Sequence, residues 1–194
     1  MALWGKTDTA TESGKPKWLA RAATGVGRLE DCYATQSGWV LKHTTSGGTR
    51  EEVLCAIKNL AGSQTVTDTL GAANITAVYF SSAITNGGGG SITVVYNEEV
   101  NVTNGATIAV TNTGGSNFNA TAAAQTGVNK VVFTITSGQV ATGNSLAIAD
   151  QTISGTIVDN LDTSRASDKV IDISVDGVGP GGEGAHAAFV VTAN

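Results

Sequence analysis

The chain reads as an all-β protein, an antiparallel β-sandwich preceded by an extended N-terminal arm and a small β-rich segment. Three observations predict it. Thr (27 residues) and Gly (25) dominate while charged residues make up only 14%, a balance that suits pleated strands and tight turns better than helical bundles. From Asn74 onward apolar residues recur at every second position, the strand period. Turn signals then punctuate those runs roughly every 8 to 15 residues. Two prolines exclude collagen-like and Pro-rich chains, and a net charge of −5 is too small to keep the chain unfolded by self-repulsion.

Taken in order, residues 1–30 are polar, without periodicity of either kind, and read as an extended arm. Gly38–Thr45 is a predicted strand, closed by Ser46-Gly47-Gly48. Residues 50–60 satisfy two patterns. Thr49 with Glu52 resembles a capping box ahead of Val53, Ile57 and Leu60 on one helical face, whereas Val53, Cys55 and Ile57 alternate as a strand would; the Gly-Gly turn tips the reading slightly to a strand. Residues 63–73 serve as a linker. Asn74–Ser81 and Ser91–Tyr96 are strands separated by Asn86 and four glycines. Asn104-Gly105, between alternating apolar residues, predicts a hairpin because both central positions must accept positive φ. Further strands are expected at Phe118–Ala122, Val128–Thr136, Leu146–Ala149 and Lys169–Val175, and residues 185–192 form a returning strand that pairs within the chain or with a neighbour.

The tryptophans Trp4, Trp18 and Trp39 all fall in the first forty residues. Charge divides in the same place: residues 1–64 carry eight Lys/Arg against six acids, and residues 65–194 carry three against ten. Two regions follow, 1–64 as arm and attachment segment and 65–194 as the sandwich. An acidic body makes a poor nucleic-acid surface. No apolar run is long enough to span a membrane, and the start does not read as a secretory leader.

Catalytic and metal chemistry finds little footing. His43 and His186 are the only histidines, neither in a nucleophile–base pattern. Glu98 and Glu99 are adjacent on a strand, so alternation should send them to opposite faces. The acids Asp150, Asp159, Asp162, Asp168, Asp172 and Asp176 form no calcium-loop frame and read as solvated edge charges. Cys32 and Cys55 lack zinc-site spacing and read as free thiols. Gly177-Val-Gly179-Pro-Gly181-Gly182 matches a dinucleotide fingerprint in form, but too little chain follows it for the required helix. No cofactor or metal is expected.

The opening Met1-Ala-Leu-Trp-Gly-Lys-Thr-Asp, with Gly38-Trp-Val-Leu-Lys and Thr49-Arg-Glu-Glu-Val-Leu-Cys-Ala-Ile, resembles small virion structural proteins of tailed phages that infect marine cyanobacteria. Residues 91–110, in particular Tyr96 followed by Glu99-Val100, resemble the bacterial immunoglobulin-like repeat. These resemblances imply an Ig-like sandwich and a non-enzymatic capsid decoration or cement protein on the virion surface. Its partners would be the major capsid protein and neighbouring copies of itself. The implied contacts are Trp4, Lys6, Lys15, Lys17, Trp18, Arg21, Arg28 and Trp39, the indoles as apolar anchors and the cations as steering charge. A tail, neck or fibre module binding host glycans is the alternative.

Overall fold

The computed structural model describes residues 15, 16, 19, 29–62, 70–80, 84–173 and 188–190, the last three as backbone only. The described chain is all-β. After a 3-10 turn at Leu29–Asp31, β1 (Cys32–Thr35), β2 (Gly38–Thr45) and β3 (Gly48–Ala56) form an antiparallel meander. The body follows as β4 (Ile75–Phe80), β5 (Gly90–Val102), β6 (Ala106–Thr113), β7 (Phe118–Ala122), β8 (Gln125–Ile135), β9 (Ser145–Ala147), β10 (Gln151–Thr152), β11 (Ile157–Asp159), β12 (Val170–Ile171) and β13 (Ala188–Val190).

Eleven strands join into one mixed sheet along the path β13-β9-β6-β7-β8-β5-β1-β2-β3, with β4 and β11 both added to β5. β10 and β12 pair separately. The sheet is mixed because β1 meets β5 in parallel, at Ala34 opposite Glu98. β5 is the hub. Its first half runs between β4 and β8, and its last residues run between β11 and β8.

That crowding overturns one expectation. Asn104-Gly105 does turn, with Gly105 at φ 89°, yet β5 and β6 do not pair, because both edges of β5 are already taken. The chain instead rounds a corner: the Gly105 amide donates to the Ala122 carbonyl and the Thr103 amide to the Thr156 carbonyl. Residues 50–60 resolve as the strand alternative, β3, in register with β2 from Thr45 opposite Gly48 to Gly38 opposite Ala56. The β1–β2 turn depends on Gly38, where φ is 122° and an added Cβ would lie 2.1 Å from the Cys55 carbonyl oxygen. The returning strand pairs within the chain, β13 against β9. The expected strand at Lys169–Val175 shortens to Val170–Ile171.

Two apolar clusters result. The larger fills the body with side chains such as Val94, Tyr96, Ile108, Phe133 and Leu146; alternation in β6 and in the later part of β8 sends one set inward and leaves Thr, Ala and Val132 outside. The smaller gathers Cys32, Ala34, Trp39, Leu41, Leu60, Ala61 and Leu70. Leu70 comes from beyond the predicted boundary at residue 64. A polar latch ties the two regions: Tyr79 Oη donates to Glu30 Oε2 (2.9 Å), Asn129 Nδ2 to the Glu30 carbonyl (3.0 Å), and Lys130 Nζ contacts Asp31 Oδ1 at 2.6 Å.

Candidate functional site

Where the β1–β2 turn approaches β5, a pocket of about 420 Å³ opens, within the ~300–1,000 Å³ range of ligand sites. Its wall comes from both regions. Ala34, Thr35, Gln36 and Ser37 supply one side, Val40, Glu51, Val53 and Ala61 a second, and Glu98, Glu99, Asp159 and Leu161 the floor and far side. Four carboxyl groups line it, and among the described residues no Lys, Arg or aromatic side chain joins them.

Glu98 and Glu99 were expected on opposite faces, and both line the pocket. The reason is a break in the pleat. Pairing of β5 with β8 passes from Val95 opposite Lys130 to Val100 opposite Val128, so the four residues 96–99 face Asn129 alone. A bulge of that kind suspends alternation and re-aims side chains.

The carboxyl groups differ in their surroundings. Glu98 is 2% exposed and its Oε1 has no hydrogen-bond partner. Burial, reinforced by the Asp159 charge and partly offset by Arg165, pushes its pKa up to about 8. Glu98 therefore carries its proton at neutral pH. Asp159, 3% exposed, accepts from the Leu161 amide (2.7 Å) and the Asp162 amide (3.1 Å) through Oδ1. Glu99 is raised by burial, against the pull of Lys42, and its Oε2 accepts from Asn160 Nδ2 at 3.1 Å. Glu51 accepts from the Tyr33 hydroxyl, and burial together with that bond raises the tyrosine pKa. Behind the floor, Arg165 Nη1 donates to the Gly71 carbonyl at 2.7 Å while Nε has no partner.

Neither of the sequence-predicted contact residues that the structure describes, Lys15 and Trp39, lines this pocket. Trp39 is fully buried in the smaller core with its indole N–H unpartnered, so it is an internal anchor and not a surface one. Lys15 is 3% exposed and Nζ donates to the Leu29 carbonyl at 3.4 Å; burial lowers its pKa to about 7, which makes it a poor steering charge. Trp4, Lys6, Lys17, Trp18, Arg21 and Arg28 lie outside the described residues.

The remaining candidates also find their places. Cys32 and Cys55 are free thiols, and burial raises the pKa of Cys32 to about 12, leaving it unreactive. Asp159 is buried, not the solvated edge charge expected of it. Asp150 and Asp168 accept backbone amides from Ile173 and Val170, and Asp162 accepts from Ser164. Among the described residues no three His, Cys, Asp or Glu side chains are placed to hold a metal ion. His43 Nε2 contacts Glu52 Oε2 at 3.0 Å on the exposed half of the hairpin; His186 and Asp176 lie outside the described residues, as do all six glycine-fingerprint positions. No described helix is long and apolar enough to cross a membrane. No protein-family model, curated protein or solved structure matches the chain.

The sequence held one usable sign of this pocket. Asn97-Glu98-Glu99 interrupts an otherwise apolar strand, and polar residues set into a buried strand mark either a bulge or a site.

Proposed function

We propose that this chain is a non-enzymatic virion structural protein, a capsid decoration protein that attaches to the major capsid lattice through its N-terminal region and carries an Ig-like sandwich outward. The observation that carries this reading is the division of labour between the two regions. The body closes its own core, whereas the meander ends on β3, a nine-residue edge strand with every residue from Gly48 to Val53 exposed. A strand like that offers backbone donors and acceptors to a partner. Val53, 51% exposed, gives it an apolar contact. The acidic body keeps the outward side soluble.

Trp4, Lys6, Lys17, Trp18, Arg21 and Arg28 stay in the proposal as capsid contacts; Trp39 and Lys15 leave it, since each is enclosed by its own chain. The glycan-binding alternative calls for aromatic platforms, and the described residues of the pocket wall include none. Removing residues 1–31 would strip Glu30 and Asp31 from the latch, together with the buried Lys15, so the informative cut removes residues 1–14. Purified particles should contain the full chain in numbers comparable with shell subunits, and the 1–14 deletion, which loses Trp4 and Lys6, should fold yet co-sediment more weakly than the full chain with particles lacking the protein. A handful of copies per particle, or none, overturns the assignment.

A further inference from the structure

We propose that the pocket between the β1–β2 turn and the β5 bulge is a receptor for a guanidinium group, the side chain of an arginine presented by a partner polypeptide. This rests on the reading of the protein as an attachment module and supplies that reading with a specific contact.

Charge is the first argument. Glu51, Glu98, Glu99 and Asp159 converge from three strands on one pocket, and among the described residues no Lys or Arg lines it, Arg165 acting on Glu98 and Lys42 on Glu99 from outside the wall. An acidic cluster alone is commonplace on a surface. Glu98 sets this one apart: it lines the pocket yet is only 2% exposed, and its Oε1 has no hydrogen-bond partner. Leaving such an acceptor unsatisfied costs ~1–3 kcal/mol, so folds keep one chiefly where something else completes it.

The chemistry of the wall selects the ligand. Among the described residues no metal-ligating trio is assembled, which argues for an organic cation. Guanidinium is planar, weakly hydrated and rich in N–H donors, and it accepts burial against carboxylates better than the compact, strongly hydrated ammonium. Val40, Val53, Leu161 and Ala61 offer apolar surface to a side-chain stem, and Thr35, Gln36 and Ser37 offer further polar atoms at the mouth.

Occupation would couple to a proton. The groups facing Glu98 are Asp159 on β11, Arg165 in the loop after it, Glu51 on β3 across the pocket and Glu99 beside it, with Lys42 beyond Glu99. A guanidinium arriving among them favours the ionised form of Glu98, so the acid gives its proton to solvent and an ion pair replaces a neutral carboxyl group. Binding therefore releases up to one proton at pH 7 and strengthens as the pH approaches 8.

The test titrates full-length protein with Nα-acetyl-arginine amide and with the neutral isostere Nα-acetyl-citrulline amide, read by NMR shifts of the Thr35–Ser37 and Glu98–Glu99 amides and by calorimetry in buffers of different ionisation heat. Arginine amide should shift those resonances saturably, at least tenfold more tightly than citrulline amide, with proton release. Glu98→Gln, which keeps the shape and removes the charge, should weaken binding at least tenfold while the backbone spectrum elsewhere stays native. Should Glu98→Gln disturb the fold, Glu51→Gln at the rim provides the same comparison. Equal response to both amides, or unchanged binding in the glutamine variants, overturns the proposal. Its failure is separable from that of the capsid reading: co-sedimentation of the full chain with particles tests the latter without reference to the pocket.

Discussion

The two regions solve the same problem with different means. The body has enough apolar chain to close a core on itself, with Ile92, Val94, Tyr96, Phe133 and Ile135 at 0% exposure around β5 and β8. The N-terminal meander has a three-stranded sheet and a small cluster led by Trp39, Leu41 and Leu60 to cover it. It borrows the rest: a parallel junction with β5, the Tyr79–Glu30 and Lys130–Asp31 contacts, Leu70 from the following segment, and the Leu70 amide bonded to the Leu60 carbonyl at 2.8 Å. A large closed core fixes one region, and contacts onto that core fix the other.

Core truncations put this difference to its severest trial. Phe133→Ala empties the centre of the body and should cost about 3–5 kcal/mol, with tryptophan fluorescence and far-ultraviolet circular dichroism lost in one transition. Leu60→Ala should cost about 2–5 kcal/mol at its own site and release the meander first. The fluorescence of Trp39 would then change at lower denaturant than the dichroism of the body. Coincident transitions in Leu60→Ala would mean that the meander and the body are a single cooperative unit.

The same contrast explains what could be read from the residues alone. β7 and the later part of β8 are legible because period-2 alternation survives in them, β4 because Ile75–Phe80 is a β-branched and aromatic run, and the β2–β3 hairpin because Ser46-Gly47-Gly48 marks its turn. β1 is hidden: Cys32-Tyr-Ala-Thr is short and follows a polar stretch, and its place is set by Trp39 and Ala34, which are neighbours only after folding. β10 and β11 are too short to show a period. The pocket was illegible for a related reason. It depends on a bulge that puts Glu98 and Glu99 on one wall and on Asp159, some sixty residues further along, completing it, and no local pattern specifies either. Trp39 was ambiguous because a tryptophan within a strand serves equally well as a core residue or an exposed anchor.

pH sharpens the comparison, since the junction and the N-terminal stretch carry buried groups of opposite sense. The folded-state pKa of Glu98 lies above its ordinary value of 4.5, at about 8. The native state therefore holds the proton more tightly than the unfolded chain, and stability from this group is fully present below about pH 4.5 and is lost on rising toward 8, by up to about 1.4 kcal/mol per pH unit. Lys15 is displaced downward, from 10.5 to about 7, so the native state holds its proton less tightly and stability rises with pH between those values. Stability measured by denaturant at pH 5, 7 and 9 should show Glu98→Gln flattening the acid-side fall relative to the wild type, and Lys15→Met flattening the alkaline rise. A Glu98→Gln profile parallel to the wild type would show that the carboxyl group is solvated.

The smallest expected effect lies at the outer half of the hairpin. The His43–Glu52 contact joins a glutamate side chain 59% exposed to a histidine that is charged only when protonated. Exposed pairs of this kind contribute ~0–1 kcal/mol, so Glu52→Gln should change stability by less than about 0.5 kcal/mol, with the difference diminished by added salt. A larger change, persisting in high salt, would mean that the β2–β3 tip is held in place as firmly as the body. A negligible one fits an edge strand whose outward residues the fold does not need, so that residues from Gly48 to Val53 are free to be shaped by what they touch and not by what holds them up.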